Sequence, residues 1–179
     1  MLIAEYATKR FLVLGLALSS LLLSGGVYAR QEHSTAKFTS KEGAFSVTLP
    51  GEPKESSQDI GSNNGPTVLH TFTVERNEGK LFYMVGYSDY QTRLDTTTSL
   101  ENVVKGQVES MKGKITSDKM ITLDGHSGRV VTIEAEGTTF FSSVYVAGNR
   151  LYQVMFGMQK GETMPADAKE FLDSFRILI

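Results

Sequence analysis

The residues best equipped for chemistry fall in one short stretch, Leu123-Asp124-Gly125-His126-Ser127-Gly128-Arg129. Ser127 beside His126 has the residue types of an activated nucleophile. A nucleophile elbow, however, sets Gly two residues either side of the Ser on a strand-to-helix turn. Gly125 meets that condition and Arg129 does not, and the stretch lies between two strand-like runs. Adjacent residues also rarely form the Ser–His hydrogen bond that activates a hydroxyl. Turn chemistry accounts for the pattern, with Gly125 and Gly128 as hairpin residues of unusual φ. Asp124 and His126 are the candidate metal ligands, an oxygen and an imidazole nitrogen. No third ligand follows at a recognisable spacing, so neither a metal nor a cofactor is expected.

Glu134 and Glu136 share one strand face and have the types of an acid/base pair, but their closeness reads more simply as a solvated edge. Glycosidase-type chemistry needs two carboxylates across a cleft. His33 falls in a polar lead-in, and His70 shares a face with Val68 and Phe72, where packing or an edge position is expected. Arg93, Lys105, Lys112, Lys114 and Lys119 gather around a helix as a mildly basic rim. No phosphate loop, zincin helix or dinucleotide fingerprint occurs. No catalytic residue is assigned, and the expectation is a protein that is not an enzyme.

Composition sets the frame in which these residues sit. The chain has 179 residues, 18 Lys plus Arg, 20 Asp plus Glu, and no Cys or Trp. Without Cys there are no disulfides, thiol nucleophiles or Cys-ligated zinc. Lys9 and Arg10 precede an apolar run from Phe11 to Leu23, and Val27-Tyr28-Ala29 supplies a small-residue exit. Residues 1–29 therefore read as a signal peptide. The alternative is an uncleaved anchor, but the run is shorter than the roughly 20 residues a spanning helix needs. Residues 30–37 (RQEHSTAK) read as a disordered lead-in, and 38–179 as a single domain. The mature balance is slightly acidic, which argues against nucleic acid as a partner. The expected location is exported, periplasmic or extracellular, with no stable membrane span after cleavage.

The elements that would position these side chains are mostly strands. Phe45–Leu49 alternates and stops at Pro50, Lys54–Ile60 reads as a polar edge strand, and 67–75 with 80–88 as a hairpin. Residues 98–111 change to helical spacing, with a capping box at Thr98 and Glu101 and Gly113 as the stop. Strands follow at 115–123, 129–136, 138–147 and 150–158, the last two joined by Gly148-Asn149 as a II′ turn. Pro165 opens a short helix with the stripe Ala168, Phe171, Leu172 and Phe175. Strands 80–88, 138–147 and 150–158 are apolar on both faces, so both faces need cover. The fold expected is α+β, an α/β/α sandwich with a central, mainly antiparallel sheet and helices on both faces.

Four segments resemble bacterial PsbP-like domains. They are Glu42-Gly43-Ala44-Phe45-Ser46-Val47-Thr48-Leu49-Pro50-Gly51-Glu52-Pro53, the 123–129 stretch, Gly148-Asn149-Arg150-Leu151-Tyr152, and Phe171-Leu172-Asp173-Ser174-Phe175. The resemblance spans about 38 to 179 and extends to the superfamily joining PsbP, an extrinsic photosystem II subunit, with the Mog-type import factor. It implies an α/β/α sandwich and a non-catalytic accessory or binding role, and no functional residue carries over. The function expected is therefore an exported binding or accessory domain with a protein partner or small ligand in the envelope. For a photosynthetic source the alternative is an extrinsic photosystem protein in the thylakoid lumen. A further alternative is an enzyme whose site only the fold assembles. The connections Gly51–Pro66 and Asp89–Thr97 are where a site is expected, because long loops on a rigid scaffold carry recognition.

Overall fold

The computed structural model describes residues 35–61 and 65–179. The signal-peptide reading of 1–29, the lead-in through residue 34 and His33 lie outside them. In chain order the elements begin with β1 (Ala36–Ser40), β2 (Phe45–Leu49), β3 (Lys54–Asp59), β4 (Val68–Arg76) and β5 (Leu81–Asp89). Helix α1 (Thr96–Met111) follows, then β6 (Lys114–Leu123), β7 (His126–Ala135), β8 (Thr138–Ala147) and β9 (Arg150–Gln159). Helix α2 (Ala166–Ser174) and the short β10 (Arg176–Ile177) complete the chain. Seven strands form one sheet in the order β3-β4-β5-β9-β8-β7-β6, and a second sheet has the order β1-β2-β10. All their pairings are antiparallel.

The two-faced strands divide the interior by parity, since successive side chains of a strand point to opposite faces. Tyr83, Val85, Tyr87, Tyr152, Val154 and Phe156 pack in one cluster, whereas Met84, Phe140, Val144, Leu151 and Met155 pack in the other. Leu100, Val104 and Met111 of α1 belong to the second cluster. Phe45, Val47 and Leu49 of β2 join the first, together with Ala168 and Phe171 of α2. The second covering layer is thus mainly a small sheet with α2 beside it. A helix alone was expected there. Nine residues of α2 present too little apolar surface to cover a seven-stranded face, and β2 supplies the rest.

Several local expectations change with the geometry. Ala36 and Lys37, the end of the expected lead-in, pair with Leu49 and Thr48 in β1–β2. Helix α1 starts two residues early, and its cap is Asp95, whose Oδ1 accepts from Thr98 N at 2.9 Å. The expected Thr98–Glu101 box therefore lies within the helix, the Asp carboxylate being the acceptor that meets the free N–H groups. At the other end Lys112 takes the left-handed conformation (φ 51°), and Gly113 N donates to Val108 O at 3.0 Å. Gly113 is needed for space, because a Cβ there would lie 2.6 Å from Ile133 Cγ2. Among the described residues no helix is long and apolar enough to cross a membrane.

Candidate functional site

The connection after β5 does not stand free. Tyr90 N donates to Asn149 O at 2.9 Å, Asn149 Nδ2 returns a bond to Tyr90 O at 2.8 Å, and Leu94 N donates to Gly148 O at 3.0 Å. Gly148, with φ 67°, makes the β8–β9 turn that presents these carbonyls. Gly65, from the connection before β4, abuts Gln91 so closely that a Cβ would meet its Cδ at 2.8 Å. The two connections expected to hold a site therefore meet at one end of the sheet, beside the β8–β9 turn. The 41–44 turn joins them there.

Arg150 ties this end together. Register places it opposite Asp89, and its Nε and Nη2 donate to the two Asp89 carboxylate oxygens at 2.6 Å each. Its Nη1 donates to Glu42 O at 2.9 Å, and its Cζ lies 4.8 Å from the centroid of the Tyr87 ring. The hydrogen bonds it donates to Asp89 raise the guanidinium above its already high pKa, so it remains charged. Below it, Tyr87 stacks on His70 with centroids 4.7 Å apart, and His70 Nδ1 lies 3.1 Å from Ser57 Oγ. Tyr152 OH donates to Gly43 O at 2.8 Å. Burial raises the phenols of Tyr87 and Tyr152. The result is a fixed platform of stacked rings under a fully engaged cation, with Asp89, Gln91, Thr92, Arg93 and Asn149 exposed around it.

A second polar group lies toward the other end of β5, six residues or about 20 Å away along the strand. There Asp167, in the first turn of α2, binds Arg76 Nη1 and accepts from Tyr83 OH at 3.0 Å. Burial first, and then the Asp167 charge, push the Tyr83 phenol far up. Arg76 Nε is buried with no partner. This group anchors α2 to the sheet and leaves Tyr83 fully buried.

The residues singled out from sequence are dispersed. Asp124 sits in a two-residue turn with Gly125 (φ 49° and 82°), and its Oδ2 accepts from Ile177 N at 2.9 Å. His126, Ser127 and Gly128 belong to β7 and not to the turn. Gly128 lacks a positive φ, and its smallness admits the Tyr145 ring, which a Cβ would meet at 2.4 Å. Glu136 lies in the β7–β8 turn (φ 47°) while Glu134 binds Lys160 at 2.8 Å, which lowers its pKa, so the two do not act as a pair. Among the described residues no three His, Cys, Asp or Glu side chains converge as metal ligands. Arg150 was not singled out as a site residue. Its signal was a cation opening a strand after a II′ turn, legible only once Asp89 is known to face it.

One further concavity, of about 370 Å³, lies between the β6–β8 face and the C-terminal end of α2. Ile121, Leu123, Val130, Phe141, Tyr145 and Leu172 line it.

Comparison with known proteins gives a fold and no closer kinship. No family model and no curated protein matches the chain. The solution structure of cyanobacterial PsbP (CyanoP) from Synechocystis sp. PCC 6803 matches with a TM-score of 0.55 and 11% identity, over 86% of this chain and 98% of that one. The chain is similar to that protein in fold, as its sequence motifs imply.

Proposed function

We propose that the protein is an exported, non-catalytic binding domain that engages a protein partner through the loop end gathered around Arg150. The observation that carries this reading is the clasp itself. The connection after β5, the β8–β9 turn and the 41–44 turn are locked to one another by backbone and guanidinium bonds, the connection before β4 abuts them at Gln91, and exposed polar side chains surround them. A pre-organised surface of this kind binds with little ordering cost. Two of the three acids singled out for chemistry already have internal partners, Asp124 at Ile177 N and Glu134 at Lys160, and Glu136 lies apart in the β7–β8 turn. Export rests on the signal-peptide grammar of residues 1–29. The test is a crosslinked pull-down of the tagged chain from its host's envelope fraction. One stoichiometric protein partner is expected, and absence of any band above background would overturn the reading.

A second reading, an extrinsic accessory protein of a photosynthetic assembly, is favoured by the fold shared with cyanobacterial PsbP. It requires a photosynthetic source and predicts comigration with thylakoid complexes on a native gel. Migration away from all of them would exclude it.

A further inference from the structure

The two edges of the seven-stranded sheet are protected very differently. At one edge β3 is six residues long, follows Pro53 and carries Lys54, Glu55 and Asp59 with no apolar side chain. These are the usual defences against unwanted strand pairing. At the other edge β6 is ten residues long, KITSDKMITL, and mostly exposed, with Met120 60% and Ile115 39% exposed. Its one irregularity is a bulge between Ile115 and Ser117. Among the described residues only β7 pairs with it, so its outer N–H and C=O groups form an open ladder.

The face of β6 beside the apolar concavity is chemically graded. Register with β7 places Lys114, Ser117, Lys119, Ile121 and Leu123 on one side of the strand, the side of Val130. Ile121 and Leu123 open into the concavity, and Lys114 and Lys119 lie further along. Arg176 lines the same concavity. The neighbouring acids are already engaged: Asp173 by Lys169, Glu134 by Lys160 and Asp124 by Ile177 N. On the opposite face Asp118 is held by Arg129 at 2.8 and 2.5 Å.

We infer that β6 receives an extended segment of a partner protein as an eighth strand. That segment carries apolar side chains at alternate positions opposite Ile121 and Leu123, and acidic ones opposite Lys119 and Lys114. Backbone pairing supplies affinity in such strand addition, and alternate side chains supply selection. A second copy of this chain is the disfavoured occupant. An antiparallel pair about a two-fold axis keeps faces aligned, so each β6 would set its lysines on the same face as those of its mate. The surface lies three strands along the sheet from Arg150 and does not rest on the loop-end reading.

The test uses the full chain and a synthetic peptide of the length of β6. The peptide has Val at alternate positions in one half, Glu at alternate positions in the other, and Thr elsewhere. In the free chain, part of the β6 amides are expected to exchange with solvent rapidly, and peptide should slow them. Binding measured by anisotropy should weaken roughly tenfold for Lys119→Glu. It should also weaken with added salt and vanish for a peptide with Lys in place of Glu, while Lys54→Glu on β3 leaves it unchanged. Hydrogen exchange of the β7 and β8 amides verifies that the variants stay folded. The inference is overturned by any of three results: no binding of the Glu peptide, binding indifferent to Lys119→Glu, or protection outside β6. Slow β6 exchange in the free chain would overturn it too. It would mean that residues 1–34 or a second copy already hold the edge, and sedimentation would separate those two occupants.

Discussion

Arg150 holds three acceptors at once, both oxygens of Asp89 and the carbonyl of Glu42, and lies over the Tyr87 ring. Its side chain is 14% exposed and that of Asp89 48%, so solvent screens the ion pair while the carbonyl bond and ring contact are sheltered. Arg150→Ala should therefore cost about 2 kcal/mol in urea unfolding, and Asp89→Asn less than about 1 kcal/mol. Arg150→Lys keeps the charge without the fork and should recover less than half of the loss. The tyrosines give a pH prediction. Tyr83, Tyr87, Tyr90, Tyr145 and Tyr152 are all raised, burial being the first cause in each. A folded pKa above the unfolded value means stability that is complete below about pH 10 and lost as pH rises through the folded values. Absorbance titration should show these phenols ionising together with unfolding, and smooth titration of all of them in a still-folded chain would contradict the burial described. At this scale the sequence was least informative. Asp124 and His126 were conspicuous by type, yet Asp124 serves a backbone N–H, and Arg150 was inconspicuous because its partner lies 61 residues away.

Helix α1 is seated on the sheet by a buried polar chain as well as by its apolar stripe. Ser142 Oγ donates to Gln107 Oε1 at 2.9 Å, and Gln107 Nε2 donates to Gln153 Oε1 at 2.9 Å. All three residues are buried, so Gln107→Leu leaves two polar groups unpaired and should cost about 2 to 3 kcal/mol. Two glycines make a contrasting pair. Gly106 faces open space in α1, and Gly106→Ala should stabilise the protein by about 1 kcal/mol. Gly128→Ala would drive a Cβ into the Tyr145 ring and the Val144 carbonyl, costing about 2 kcal/mol or more. Thermal or urea unfolding of each variant checks the signs. Elements were largely legible because hydrophobic period survives without tertiary information: 98–111 read as helix, and the two-faced strands read as buried. Caps and turn limits were less so. Asp95 lay outside the apolar period that marked the helix, and Gly128 was read for turn geometry when space was the reason.

Across the whole molecule, seven antiparallel strands form one sheet, and the β8–β9 turn, the connection after β5 and the 41–44 turn gather at one end of it. The layer count was foreseeable from strands apolar on both faces. The make-up of the second layer was not, because β1 lies in a polar stretch with little apolar alternation, and the two-residue β10 pairs with β2 from the far end of the chain. Binding at the loop end, the central claim, is tested most directly by placing a photo-crosslinking residue singly at Asn149, at Gln91 and at Lys169 on α2. Each full chain is then exposed to the host envelope fraction. The account predicts one and the same protein adduct from Asn149 and Gln91 and none from Lys169. Adducts from Lys169 alone, or from none of the three positions, would contradict it.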